Sequence, residues 1–286
     1  MDSKELGLVV PQQLLGLEDL HYGFWDKEQK PSITDFVEAQ KRYSDFLLTA
    51  ITEAAGDKSA KMLDVGCGTG AMICELAKSG YNVDGVIPSA FLKEKIEQRL
   101  QDASVNSRSV IYDCKFEDFP EEQRLNQYDL IFFSESFQYI SMKKSLPILK
   151  SLLAGNGKIV ICDFFKTIHH GDGSPGDKSM GGGHRLNEFY EMVKGSFKIT
   201  RDEDITANVS PNLELLNDIL MNRISPVIQY IDLFLAGRYR FIYRLLKFFF
   251  RKRLKKLNYK YFSGYRSKET FEKYKTYHLM ILENLS

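Results

Sequence analysis

Leu63 to Gly70 read LDVGCGTG, with Gly66, Gly68 and Gly70 set between a short apolar run and a helix-like run. Glycine lets the backbone turn sharply and bring its own N–H groups against a ligand. The amino end of the helix just beyond favours a negative group. Such a stretch supports the holding of a flat or elongated, partly anionic molecule by main chain. Gly66-x-Gly68-x-x-Ala71 loosely fits the pattern that binds a dinucleotide, so a nicotinamide-dependent oxidoreductase is one candidate. Two details point elsewhere. Asp64 stands two residues before the first glycine, and Ile87 occupies the place where an acid would grip a dinucleotide's ribose.

Groups able to move a proton are few. His21, His184, His169 and His170 are candidate bases, and Glu135 follows the apolar run YDLIFFS. The His169–His170 pair has no third ligand at a useful spacing, so no metal site is expected.

These residues need a scaffold, and the hydrophobic pattern supplies one. Residues 33–55 have the apolar spacing of an amphipathic helix. Lys61–Val65 reads as a strand, followed by the glycine loop and a helix to Lys78 that Gly80 ends. YNVDGVI is a second strand, and Ser89 can cap the helix after it. SVIYDC is a third strand and Tyr128–Ser134 a fourth, almost continuously apolar as a strand buried on both faces should be. A helix over 141–153 leads through a turn at Gly155 and Gly157 to KIVICDFF, the fifth strand. FKITRDEDI and TYHLMILEN are the last two. Regular alternation predicts an α/β fold: a doubly wound, Rossmann-like, seven-stranded and mostly parallel sheet, with a helical cap inserted between the last two strands. One domain over 1–286 is expected, with an N-terminal helical lid over about 1–56 and the cap over about 211–270.

Composition sets limits. The 286 residues are 43% apolar with a net charge of +1, which argues against a general nucleic-acid binder. Cys67, Cys74, Cys114 and Cys162 form no CxxC pair and read as reduced thiols of a cytoplasmic protein. The first twenty residues lack the pattern of a signal peptide, and no run of 18 uncharged apolar residues exists.

LDVGCGTG, followed by a helix, a second strand and YDLIFFS, resembles motif I of the class I S-adenosylmethionine-dependent methyltransferases. The resemblance covers about residues 20–165. It implies S-adenosylmethionine as cofactor, with Asp64, Gly66, Cys67 and Gly68 around its methionine part and Gly70 shaping the loop. Lys115 and Phe116 match the position lining the adenine, and Ser134 matches a backbone contact to the methionine. GVIPS, where the family usually carries a ribose-binding acid, is similar to the GVTLS of tocopherol, sterol and cyclopropane-fatty-acid methyltransferases. DLHYGFWD resembles the entrance segment of tocopherol-type and glycine-type enzymes, which makes Tyr22 the candidate that closes over the cofactor. FSESFQYI resembles the ESGEHM segment of tocopherol methyltransferases, with Gln138 and Tyr139 in place of its Glu and His.

Methyl transfer from a sulfonium asks the protein to position an acceptor and exclude water. His184, Glu135 and His21 are the catalytic candidates, and Gln138, Tyr139 and Arg244 the substrate-binding ones. Between Arg238 and Lys256 there are nine basic residues and no acids, with Arg240, Arg244, Lys247 and Arg251 at helical spacing. That helix is a candidate for peripheral membrane contact, for an Arg pocket around a phosphorylated or carboxylated acceptor, or for a solvated face. The acceptor expected is a small lipophilic or aromatic molecule, such as a natural product, quinone, sterol or lipid. A small amine or amino acid is an alternative. So is a non-catalytic S-adenosylmethionine-binding partner protein. No nucleic acid is expected as partner, and the oligomeric state is left open.

Overall fold

The computed structural model describes residues 21–27, 29–123, 125–169 and 181–285. A single seven-stranded sheet organises them, in the order β3-β2-β1-β4-β5-β7-β6. The strands are β1 (Lys61–Val65), β2 (Asn82–Val86), β3 (Ile111–Tyr112), β4 (Tyr128–Ser134), β5 (Leu153–Lys166), β6 (Phe197–Asp204) and β7 (Lys275–Asn284). β1 to β5 run parallel, and β7 lies antiparallel between β5 and β6. The chain reverses its direction of winding between β1 and β4, so the glycine loop opens at the switch point, where doubly wound sheets bind ligands.

Period-2 alternation divides the strands between two cores. Met62, Leu130 and Phe132 face α1 (Phe36–Ala55), α2 (Ala71–Lys78) and α3 (Ala90–Asp102). Leu63, Ile131 and Phe133 face α4 (Met142–Leu152) and α5 (Leu186–Val193). Helix α1 is long because Tyr43, Leu47, Ala50, Ile51 and Ala54 recur on one side and all are buried. Of the lid expected over about 1–56, residues 1–20 lie outside those described, and α1 packs against β4 and β5.

Two local expectations need correction. The third strand is two residues, not the length of SVIYDC, because the Asp84 carboxylate takes the Val110 N–H at 2.9 Å and so ends the ladder. Gly155 and Gly157 lie within β5, not in a turn before it. The register jumps there from Tyr128↔Leu153 to Leu130↔Lys158. A Cβ on Gly157 would sit 2.9 Å from the Tyr128 carbonyl oxygen, so a side chain does not fit this irregularity.

The insert between β6 and β7 is mostly helical, with a short non-helical link over 263–267: α6 (Thr206–Val209), α7 (Pro211–Asp218), a π-turn (Ile219–Ile224), α8 (Ser225–Arg238), α9 (Arg240–Phe262) and α10 (Lys268–Tyr274). Val209, Leu213 and Phe271 join the core, whereas α8 and α9 bury no residue at all.

Candidate functional site

At the carboxyl end of β1 the chain enters a run of left-handed turns, with φ of 81° at Gly66, 54° at Gly68 and 76° at Gly70. The Gly66 N–H donates to the Val86 carbonyl at 2.8 Å, pinning the loop to β2, and the Gly70 N–H closes it on the Cys67 carbonyl at 2.8 Å. A Cβ on Gly66 would lie 2.4 Å from the Ser136 Cβ, and one on Gly70 2.7 Å from Ile96 Cγ2. Ser136 in turn donates its hydroxyl to the Val65 carbonyl. The loop is thus a bare cradle in which side chains do not fit, and it fits a ligand held by main chain.

The side chains around it divide sharply. Asp64 is a buried acid at the end of β1, 3% exposed. Cys67 is buried with its Sγ 3.6 Å from the Val86 carbonyl, so it offers the cradle only backbone. Ile87 is packed in the core, and the Ser89 hydroxyl caps α3 by accepting the Leu92 N–H at 3.1 Å. Lys115 is exposed, while the Phe116 ring is buried against Phe133 and Phe119. Ser134, half-buried, ends β4 opposite Cys162.

Glu135 stands next, with a φ of 53°, uncommon for a residue that carries a side chain. Its Oε1 accepts from the Tyr22 N–H at 2.8 Å and from the Tyr277 hydroxyl at 3.1 Å. The Tyr277 oxygen also meets the Tyr43 hydroxyl at 2.7 Å. Burial holds the Tyr22, Tyr43 and Tyr277 hydroxyls well above the ordinary phenol range, helped next by the Glu135 charge at Tyr22 and Tyr277 and by Cys162, then Glu135, at Tyr43. Arg266, whose guanidinium lies 4.9 Å over the Tyr261 ring, works against that rise at Tyr22. These phenols stay protonated near neutrality and act as donors, not bases.

The segment carrying Tyr22 is tied down from the cap. Asn212, 6% exposed, accepts from the Gly23 N–H at 2.9 Å and the Trp25 indole at 3.1 Å, and it donates to the Gly23 and Val209 carbonyls. Every hydrogen-bonding position of the amide is used. Asn212→Leu strands three polar groups of the segment, and we expect a loss of about 3 kcal/mol on unfolding by urea, with Trp25 emission changing first. Equal stability of the variant would show that the clasp contributes nothing. His21 spends both ring nitrogens nearby, at 2.8 Å from the Tyr22 carbonyl and 3.0 Å from Ser44 Oγ, and stacks on Tyr43.

On the far side of Glu135, Gln138 is anchored by its N–H and its amide to the Asp163 carboxylate, at 2.9 and 3.2 Å. Asp163 is fully buried, and burial pushes its carboxyl up to about 7 despite the backbone N–H groups that oppose the rise. Lys275, also buried, sits 4.9 Å over the Phe164 ring and donates to the Gly182 carbonyl. Burial, then repulsion from Lys166, pushes its ammonium down to about 7. Tyr139 is 79% exposed. His184 places Nε2 3.0 Å from the Phe137 carbonyl, so that N–H donates there and the ring packs edge-on against Phe137. His169 is exposed, and His170 lies outside the described residues. Among the described residues no group of three or more His, Cys, Asp or Glu could hold a metal.

The structure therefore brings Tyr22, Glu135 and Gln138 to one end of the sheet with the glycine cradle. Arg244 is exposed on α9, and no hydrogen bond or ring contact joins it to Gln138 or Tyr139. Sequence reasoning missed Tyr43, Asp163, Asn212, Lys275 and Tyr277. Asp163 did carry a signal: a lone acid inside the apolar run KIVICDFF.

Comparison with known proteins adds a second line. A family model described as a methyltransferase domain matches residues 37–261. An uncharacterized methyltransferase of Bacillus licheniformis is 30% identical over 122 residues, 42% of this chain and 53% of that one. The chain thus spans about half the length of that relative. Among solved structures, a protein assigned as sarcosine dimethylglycine methyltransferase from Galdieria sulphuraria superposes with a TM-score of 0.69 at 18% identity, over 95% of this chain and 96% of that one. Geranyl diphosphate C-methyltransferase from Streptomyces coelicolor, solved with Mg2+, geranyl-S-thiolodiphosphate and S-adenosyl-L-homocysteine, gives 0.66 at 14%, over 97% and 92%. The [4+2]-cyclase SpnF gives 0.65 at 16%, over 98% and 93%. At these identities the likeness is one of fold.

Proposed function

The chain belongs to the family of methyltransferase domains, and from that premise we propose that it uses S-adenosylmethionine to methylate a small lipophilic or aromatic acceptor. The observation that carries the reading is the cradle at Gly66, where an added Cβ would lie 2.4 Å from Ser136. When bound, the cofactor supplies a methyl group already activated on a sulfonium. The chain's own residues do the rest. The main chain of the Gly66–Gly70 loop, whose Gly66 and Cys67 N–H groups are held by the Val86 carbonyl, would cradle the methionine part, and Asp64 would balance its ammonium. Tyr22, tied through Glu135 to Tyr277, closes over the site and excludes water. Gln138, fixed by Asp163, orients the acceptor.

The position that commonly grips the ribose hydroxyls is filled by core-packed Ile87, which also weakens the nicotinamide alternative. A non-catalytic cofactor-binding protein is the second reading, favoured by the commitment of both His21 nitrogens and of Glu135 Oε1 to fixed partners. A small amine acceptor is a third. The proposed location is the cytoplasm, where free thiols such as Cys67 and Cys114 persist, with α9 toward a membrane surface.

Calorimetry separates these readings. S-adenosylhomocysteine should bind and NAD should not. Tritium from labelled S-adenosylmethionine should then pass into an organic extract of lipids and aromatic metabolites. Binding without any transfer across broad acceptor pools would favour the non-catalytic reading, and binding of NAD alone would end the methyltransferase one.

A further inference from the structure

Helices α8 and α9 form an antiparallel hairpin that turns at Tyr239. Asp232 on α8 accepts from the Tyr243 hydroxyl and from the Lys247 ammonium on α9. The hairpin buries none of its residues, although it is rich in Phe, Leu, Ile and Tyr. Phe241 is 81% exposed, and Leu233, Phe234, Phe248 and Phe249 are each more than half exposed. This many large apolar side chains exposed on two adjoining helices of a folded protein mark something that covers them.

Charge decides what that is. Nine basic residues and no acid lie between Arg238 and Lys256, on a chain whose net charge is only +1. A second copy of the hairpin would bring like charges together as the apolar sides met, which disfavours self-association. An anionic phospholipid surface satisfies both features at once. Aromatic and aliphatic side chains enter the acyl boundary, while Lys and Arg stems reach back to the headgroups. No described helix is long and apolar enough to cross a membrane, so any contact of the hairpin with a bilayer would be at its surface. An open groove of about 440 Å3 runs between the helices, lined by Ile228, Leu233, Asn258 and Phe262 among others.

We propose that the α8–α9 hairpin docks on an anionic phospholipid bilayer and holds the sheet's ligand end near a reservoir of lipid-dissolved acceptor. The docking stands on the hairpin itself, and only the delivery of acceptor rests on the lipophilic-acceptor reading.

The test is sedimentation of the full chain with vesicles of phosphatidylcholine alone and with about one-third phosphatidylserine. The anionic vesicles should bind at least about 100-fold more strongly, and raised salt should weaken the binding. Arg251→Gln, Lys252→Gln and Arg253→Gln combined should lower it about 100-fold. Phe248→Ser with Phe249→Ser should lower it while leaving the salt dependence in place. S-adenosylhomocysteine affinity, measured on every variant, should not move. Equal binding to both vesicle types overturns the proposal. So does loss of a dimer, in place of lost vesicle binding, in the Phe variant, and so does RNA that binds the basic side more tightly than vesicles do. Vesicle binding without cofactor binding would leave the hairpin proposal intact and remove the methyltransferase one, and the converse holds.

Discussion

Gly66→Ala should lower S-adenosylhomocysteine affinity by at least about 100-fold while the sheet remains folded. Two causes act together. Alanine at a φ of 81° costs about 1–2 kcal/mol, because its Cβ crowds the following carbonyl. That Cβ would also lie 2.4 Å from the Ser136 Cβ, so the loop or the end of β4 must move by most of an ångström. A shift of that size loosens the loop's anchor on the Val86 carbonyl and displaces the main chain proposed to hold the ligand. Gly56→Ala is the control. Its φ of 74° is also one that side chains rarely adopt, but no atom lies within 4 Å, so stability should fall by about 1 kcal/mol or more with cofactor affinity unchanged. Adding Ser136→Gly to Gly66→Ala removes the collision and leaves the strain, and should recover part of the affinity. Isothermal calorimetry reads all three, and wild-type affinity in Gly66→Ala would sink the cradle.

Glu135→Ala is the second large effect. One carboxylate oxygen joins Tyr22, 113 residues away in sequence, to Tyr277, 142 residues away. Removing it leaves the Tyr22 N–H and the Tyr277 hydroxyl without that acceptor. Hydrogen bonds to a charged group are worth about 1.5–3 kcal/mol each, and Glu135 is only half-buried, so a loss of about 2–4 kcal/mol in denaturant unfolding is expected. Glu135→Gln distinguishes a strut from a base. Glutamine keeps an acceptor at Oε1, so stability and cofactor affinity should stay within about threefold of wild type. If the carboxylate instead took a proton from the acceptor, the Gln variant would fold normally and lose about 100-fold or more in turnover. The geometry favours the strut, because Oε1 already serves two donors.

Seven strands and their alternation with helices were legible because period and punctuation agree. Tyr128–Ser134 is apolar on both faces, and Gly80 and Ser89 end and cap their helices as local chemistry requires. The glycine cradle was legible for the same reason: nothing but main chain explains that spacing. What escaped were contacts made across the sheet by residues far apart in sequence. Tyr277 reads as one more aromatic in a closing strand, and Asn212 as a polar residue at a helix start. Only the fold shows that each fastens the segment around Tyr22. Lengths failed locally, at SVIYDC and Gly155, where a side chain or a bulge took over the backbone pairing.

Strand β7 lies between β5 and β6, although it is made after both. A ribosome therefore releases β5 with one edge open and β6 with no neighbour, and holds them so until Asn284 has emerged. Through that interval Glu135 lacks Tyr277, and the pocket has walls but no lintel. The nascent protein must shelter an unpaired apolar edge through translation of the whole cap, a period in which a chaperone matters more to this molecule than its finished stability suggests.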